Sequence, residues 1–369
     1  MSTVPPADPG SAGQSRYVSP PTATLAPTQI IMQQPPSAFG RYGKLLLIAL
    51  GFCVLTIVGQ ATSYRSYFSP AGGPQERYHS LAEDADKKIA IISIEGAILD
   101  PEGFIKQQID RVRKDDDVAA IVLRIDSPGG TVTASDFLYH HLRKLTDERK
   151  LPVVVSMGGL CASGGYYLAM AAGGADDVIF AEPTTWTGSI GVLIPHYDLS
   201  GLLARWDVTD DSVASNKDKL MGSPTRELSA EEKAEERKLL QELVDRSFER
   251  FKNVVRQGRP KLEADEDAFA RATTGQIFTS EQAEELGLVD KIGFIDEAVA
   301  RAAELAHLGV GAVRCVQYDE PPNSLRALLG AESPLAPDRD GNLTSLLELT
   351  APRAYYVCTW LPSLLCNRR

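Results

Sequence analysis

One serine in the chain stands where a hydroxyl could act as a nucleophile. Ser163 lies in the stretch Val153–Ala172, VVVSMGGLCASGGYYLAMAA. The β-branched run there predicts a buried strand over Val153–Ser156, a break at Gly158 and Gly159, and then an apolar segment of helical spacing. Ser163 falls at the turn with Gly164 and Gly165 behind it, where a helix N-terminus leaves backbone N–H groups unpaired. Donors so placed can receive a developing oxyanion. The same small residues, Ala162, Ser163 and Gly164, also suit a close strand-to-helix turn with no chemistry attached.

A serine hydroxyl is a poor nucleophile until a base takes its proton. Histidine is the usual base, and the chain has five: His79, His140, His141, His196 and His307. Only His196, in a loop after Pro195, falls near the expected end of the sheet. The alternative is lysine, whose ordinary pKa of about 10.4 burial can lower by up to about 3–5 units. The loop SNKDKLMGSPTR, Ser215–Arg226, holds Lys217 and Lys219. Two lysines in a polar loop are ordinarily just solvated, so spacing alone leaves the base open between His196 and this pair.

The elements that must hold these groups read as an α/β domain. Strands are predicted at Ile89–Ile94, Val118–Ile125, Val153–Ser156, Val178–Phe180 and Ile190–Ile194. Helices are predicted over Pro101–Lys114, Thr133–Leu145 and from Ser163 onward. Near-continuous apolar strands alternating with helices imply a parallel sheet covered on both faces. Active sites in such sheets gather at the carboxyl ends of the strands. Two loops fall there: Asp126–Gly130 (DSPGG) and Gly158–Gly165. Further on, Ser229 with Glu232 forms a capping box for a long helix reaching Gln257, with Leu239, Leu240, Leu243, Val244, Phe248, Phe251 and Val255 on one stripe. A turn and a closing helix follow Leu286.

Composition narrows the class of protein. With 43% apolar residues and a formal charge of −11, the 369-residue chain is globular and carries no basic tract for a phosphate backbone, so nucleic acid is excluded as a partner. The five cysteines show no metal spacing, and no metal or cofactor is implied; a Cys358–Cys366 pairing stays open. Eight prolines in residues 1–40 predict a disordered tail. No charged residue occurs from Leu45 to Tyr64, a run long enough to span a bilayer core of roughly 20 residues. More than forty residues precede this run, unlike the short basic lead of a cleaved signal, so an uncleaved anchor is expected. Arg41 and Lys44 before the span put the N-terminus in the cytoplasm and the bulk of the protein outside. The tail Ala354–Leu365, AYYVCTWLPSLL, reads as either an interfacial or a packing segment.

Five motifs in order, DSPGG, ASGGYYLA, TGSIGVL (Thr187–Leu193), SNKDKLMGSP and GQIFTSEQAEELGLVDKIG (Gly275–Gly293), resemble the signal peptide peptidase A family of serine peptidases in its single-repeat form, across roughly Lys88–Leu308. The resemblance implies a Clp-protease/crotonase-like fold of repeated ββα units and a Ser/Lys dyad. It puts the nucleophile on Ser163, the base on Lys219 rather than Lys217, and an oxyanion hole on Gly129 or Gly130 together with Gly164. Ser189 is a supporting donor to the lysine. The sequence departs from the family's lysine motif, with Asn216 for the usual glycine and Leu220 for the usual aspartate. The organisation expected is a tail over 1–43, a transmembrane anchor over 44–64, a linker over 65–87, a peptidase domain over 88–308 and an extension over 309–369. The family implies remnant signal peptides as substrates, a homo-oligomer, and in some single-repeat members a dyad shared between neighbouring subunits.

Three rivals remain. A Clp-type Ser/His/Asp peptidase would carry its histidine on the strand after the one carrying Pro183, a region that reads TWTGSIGVL here and has none. Crotonase-like acyl-CoA chemistry needs no serine nucleophile. A membrane scaffold that kept the fold and lost activity draws on the altered lysine motif.

Overall fold

Runs of aliphatic residues with no polar alternation can be buried on both faces only in a sheet with helices on each side, and that is the arrangement found. The computed structural model describes residues 43, 47–60, 73–320 and 355–357. The chain divides into two units, Met1–Pro70 and Ala71–Arg369. In the first, residues 47–60 form helix α1 with Leu47, Phe52, Leu55 and Ile57 exposed. The expected transmembrane helix over 44–64 is not found as such: among the described residues no helix is long and apolar enough to cross a membrane. The described stretch is shorter than a bilayer needs. Residues 44–46 and 61–64 lie outside the described residues, as do residues 1–42 of the Pro-rich tail, Cys358 and Cys366.

The second unit begins with β1 (Gln75–Leu81), β2 (Lys87–Glu95), α2 (Phe104–Arg113), β3 (Val118–Ser127), β4 (Gly129–Thr131) and α3 (Val132–Arg149). The site elements follow: β5 (Val153–Ala162), α4 (Gly164–Ala169), β6 (Ile179–Ala181) and β7 (Trp186–Gly188). Then come α5 (Ser200–Ala204), α6 (Ala230–Gly258), α7 (Pro260–Glu263), α8 (Glu266–Ala272), β8 (Ile277–Thr279) and α9 (Ser280–Glu285). The last are β9 (Lys291–Ile292), α10 (Ile295–Leu305), β10 (Val313–Asp319) and β11 (Tyr355–Val357).

Nine strands make one sheet in the order β1-β10-β2-β3-β5-β6-β9, with β7 beside β5 and β8 beside β7. The pairings from β10 through β9 and of β5 with β7 are parallel; β1 on β10 and β8 on β7 are antiparallel. Period-two alternation sorts β2 between two cores. Ala90, Ile92 and Ile94 face Ile109, Leu138, Tyr167 and Phe251, whereas Ile89 and Ile91 face Ala298, Val299 and Ala302 of α10. The largely parallel α/β class is the one expected.

Three boundaries differ from the sequence reading. Strand β5 does not stop at Ser156: it runs through Gly158 and Gly159 to Ala162 and pairs with β7 at Leu160–Ala162. No strand covers Ile190–Ile194; the pairing partner is β7, and only Leu193 takes part in an isolated bridge. The sheet also takes in β1 and β10, residues the sequence reading leaves in a linker and an extension outside 88–308.

The capping box of α6 is formed in full: the Glu232 amide donates to Ser229 Oγ at 3.2 Å and the Ser229 amide to Glu232 Oε2 at 2.9 Å. Only the far end of this helix is in the core, through Phe251, Val254 and Val255, while Leu243 is exposed.

Candidate active site

Ser163 sits at the carboxyl end of β5 in a conformation that L-residues rarely adopt, φ 55° and ψ −114°. Two backbone bonds hold it there. Its amide donates to the Gly188 carbonyl at 2.8 Å, and its carbonyl accepts from the Tyr167 amide at 2.8 Å, closing the first turn of α4. Strain of this kind persists only where the surroundings enforce it, and it gathers at functional sites. The residue is 1% exposed, and Ser163 Oγ has no hydrogen-bond partner among the described residues. A buried orphan hydroxyl is costly unless something else comes to pair with it.

The DSPGG loop closes over this turn. Asp126 Oδ1 accepts from the Leu160 amide at 3.1 Å, tying the loop to β5. Gly129, at φ 97°, leaves no room for a side chain: a Cβ there would collide with the Tyr356 carbonyl oxygen, lie 2.6 Å from Gly164 N and stand 3.1 Å from Ser163 Cβ. From the other side, a Cβ on Gly164 would lie 3.1 Å from Gly130 N. The three glycines named as oxyanion candidates therefore meet at the nucleophile. They are not equivalent, because the Gly129 amide already donates to Ser127 Oγ at 3.1 Å, and Ser127 Oγ donates to the Gly96 carbonyl at 2.6 Å. Gly164, and Gly130 when its edge is not taken by Tyr356 of β11, are the donors left to face an oxyanion.

Ser189 follows β7 directly, at φ 50°, and its amide donates to the Gln276 carbonyl at 2.7 Å. The pairing of Gly188 with Ala162 carries it to the Ser163 side of the sheet.

The lysines are elsewhere. Lys219 lies on the short 3-10 turn Lys217–Leu220, capped by Asn216, whose Oδ1 accepts from the Lys219 amide at 3.1 Å. Its side chain is exposed and makes no bond to Ser163, so the Ser/Lys contact that the resemblance implies is not formed within the single chain. The reason is local: no residue of that turn is buried, so no core draws it inward. Lys217 pairs with Glu235 at 2.7 Å, and that hydrogen bond raises the ammonium above its ordinary value, the opposite of what a base needs. His196 does not replace them. Its Nε2 stands 3.5 Å from Glu236 Oε1 in a cavity of about 490 Å³ whose lining excludes Ser163. Cys161 is no competing nucleophile, since complete burial pushes its thiol well above the usual range.

Residues 146–309 match the family model described as peptidase family S49. A candidate protease of Synechocystis sp. is 37% identical over 249 residues, spanning 68% of this chain and 85% of its own. The chain belongs to peptidase family S49. Protease 4 of Salmonella typhi is 36% identical over 242 residues, but the match spans 37% of that protein. A candidate signal peptide peptidase SppA of Enterococcus faecium is 34% identical over 234 residues, 64% of its length. The chain is thus a serine peptidase of this family, and the unpartnered Ser163 hydroxyl lies within the residues matched to the S49 model.

Two parts of the site were not singled out from the sequence. Ser135, on α3, is fully buried with an unpartnered hydroxyl, and a Cβ on Gly164 would lie 2.5 Å from its Oγ. Nothing in TVTAS marks it. The other is Tyr356, whose strand β11 pairs antiparallel with β4, Tyr356 opposite Gly130 and Val357 opposite Gly129. The aliphatic-aromatic run AYYV after a Pro- and Asp-rich stretch was the signal for it. Among the described residues no group of His, Cys, Asp and Glu could hold a metal ion.

Proposed function

We propose that the chain is a membrane-anchored serine endopeptidase that cleaves hydrophobic peptides, remnant signal peptides among them, on the outer side of the membrane. Ser163 is the nucleophile, Gly130 and Gly164 supply the oxyanion donors, and Lys219 of a neighbouring copy is the base, with Ser189 orienting its amine. The observation that carries this reading is the buried, unpartnered Ser163 hydroxyl on a strained turn against two glycine amides. A proton acceptor has to arrive from outside the chain's own core, and three features support a second copy bringing it. The segment leading to Lys219 exposes Tyr197, Leu202, Trp206 and Val213, Trp206 at 75% and Val213 at 98%. The near half of α6 leaves Leu243 uncovered. The family resemblance also includes dyads shared between subunits. Large apolar side chains left in water across one segment mark a contact surface. Anchoring rests on the uncharged run Leu45–Tyr64 and the flank Arg41 and Lys44.

A serine-reactive fluorophosphonate probe on detergent-solubilised protein tests the reading. Labelling in the wild type, none in Ser163→Ala and a large loss in Lys219→Ala are expected. A scaffold without activity, which the Asn216 and Leu220 departures favour, would show no labelling in any form.

A further inference from the structure

Buried hydroxyls around the nucleophile's turn are paired, as burial demands. Ser127 donates to the Gly96 carbonyl at 2.6 Å, Thr185 to the Gly158 carbonyl at 2.7 Å and Thr187 to the Cys161 carbonyl at 2.7 Å. Ser163 and Ser135 are the exceptions: theirs are the two serine hydroxyls buried without a partner among the described residues. They come from different elements, the end of β5 and the opening turn of α3, and both stand at Gly164. Ser163 precedes that glycine in the chain. Ser135 reaches it through space, since the point where a Cβ on Gly164 would stand lies 2.5 Å from Ser135 Oγ and 3.1 Å from Gly130 N. The orphan hydroxyl therefore lies against the same two glycines whose amides are the oxyanion donors.

Ser135 keeps its hydroxyl free against the local alternatives. A serine or threonine inside a helix ordinarily bonds back to a carbonyl three or four residues earlier, as Thr146 of the same helix does to the Arg143 carbonyl at 2.8 Å. Ser135 makes no such bond and is 0% exposed. Alanine there would be the better helix former and would leave no buried polar group unpaired. The residue is also held firmly: Thr131 Oγ1 accepts from the Ala134 amide at 3.1 Å, which fixes the start of α3 beside β4. A further donor would have a use, because the Gly129 amide is committed to Ser127 Oγ and Gly130 shares its edge with Tyr356 of β11.

We propose that the Ser135 hydroxyl is a further donor of the oxyanion site, unpaired in the resting enzyme and paired when the substrate's oxygen carries charge. The proposal rests on Ser163 as the nucleophile. In acylation Ser163 Oγ bonds to the scissile carbonyl carbon, its proton passes to the base, and the C=O π pair moves onto the oxygen. Ser135 Oγ–H donates to that oxygen alongside the Gly164 amide and gives up no proton. A donor idle in the ground state and engaged at the transition state raises kcat without tightening the hold on substrate.

The test uses full-length, detergent-solubilised protein, with turnover of a reporter peptide and two ligands titrated by calorimetry. One is a tripeptide aldehyde ending in leucinal, which forms a hemiacetal with the nucleophile and places an oxygen in the oxyanion site. The other is the matching leucinol, which forms no adduct. Ser135→Ala should lower kcat by on the order of 10² with KM nearly unchanged. Aldehyde affinity should fall by a similar factor while leucinol affinity holds. The variant should also melt no lower than wild type, since it loses an unpaired buried group. Ser135→Cys, close in shape but a weaker donor, should fall between the two in kcat and in aldehyde affinity. Wild-type kcat and aldehyde affinity in folded Ser135→Ala overturn the proposal. So does a loss of activity that comes with a lower melting temperature and an equal loss of leucinol binding, the mark of a packing role. The nucleophile assignment fails separately: aldehyde bound by Ser163→Ala as tightly as by wild type removes that assignment and this proposal with it, whereas binding lost in Ser163→Ala but intact in Ser135→Ala overturns this proposal alone.

Discussion

The Ser163 amide and the Gly188 carbonyl, 2.8 Å apart, lock the nucleophile's turn onto the neighbouring strand. That bond joins β5 to β7 just past their paired residues and holds Ser163 at a positive φ while its side chain stays buried. Such a conformation costs about 1–3 kcal/mol for any residue with a Cβ. Glycine avoids that cost, offset by about 0.5–1 kcal/mol of extra freedom in its unfolded chain. Ser163→Gly is therefore expected to unfold at a higher temperature than Ser163→Ala, with both inactive. A calorimetric comparison in which the alanine variant is the more stable would remove strain from the account.

The close meeting of Gly129 with Gly164 makes a second prediction. A methyl group at Gly129 has nowhere to go, being 2.6 Å from Gly164 N and carried on a backbone at φ 97°. Gly129→Ala should shift the β4 loop and take Gly130 out of register with the oxyanion. One lost donor costs on the order of 10²–10³ in kcat. Steady-state turnover of a reporter peptide should fall by at least that much, with KM changing far less. A variant with wild-type kcat would show that the loop does not form the oxyanion site.

Sharing of the dyad can be tested by mixing chains. Lys219→Ala and Lys219→Arg should each abolish activity, since a guanidinium stays protonated at any accessible pH. Lys217→Ala should weaken activity only, because Lys217 is engaged with Glu235. Co-assembled Ser163→Ala and Lys219→Ala chains should recover partial turnover if the groups come from different copies. No recovery after subunit exchange, or a fully active monomer by light scattering, would place the base within one chain and reopen His196.

What the sequence revealed and what it concealed follow from locality. Strands β2 and β3 were legible because burial on both faces writes an unbroken aliphatic run, and the α6 start because Ser229 and Glu232 bond each other three residues apart. Strand β1, QERYHSL, escaped because its first half is exposed at the edge of the sheet and carries no apolar pattern. The glycines of β5 were read as a break, yet a Cβ on Gly158 would lie 3.2 Å from Arg124 and Asp126, so that glycine marks a close approach inside a continuing strand. The Ser163 turn was readable because one short stretch contains strand, glycines and helix. Neither the exposure of Lys219 nor the seating of Tyr356 against Tyr167 is encoded near its own position, and only the folded chain reveals them.

The last prediction concerns stability at the far edge of the sheet. Lys88 Nζ lies 2.8 Å from Glu76 Oε2 and 2.9 Å from Asp115 Oδ2, and the Lys88 and Asp115 side chains are only 9% and 11% exposed. Burial pulls the Lys88 ammonium down, but hydrogen bonds to Glu76 and then Asp115 outweigh it and hold the pKa above its ordinary 10.5. Burial likewise pushes Asp115 up, and the Lys88 hydrogen bond outweighs it to leave the carboxyl below its ordinary 3.8. A lowered carboxyl contributes stability that is present above its unfolded value and lost as pH falls through its folded value; a raised amine contributes stability that is present below 10.5 and lost as pH rises beyond its folded value. The contribution of this cluster should therefore be flat between about pH 5 and 10 and decline outside that window. Lys88→Met strips the counter-charge from the largely buried Asp115 carboxylate and from Glu76 on the exposed half of β1, and breaking a buried pair such as Lys88–Asp115 from one side costs about 3–5 kcal/mol. Urea unfolding at neutral pH should show a loss of that size, and the gap from wild type should narrow as the pH falls below about 4, where the Asp115 carboxyl, held below its ordinary value, begins to accept its proton. A gap that stays constant down to pH 2 would mean that Lys88 stabilises the edge by packing its methylene stem and not by charge.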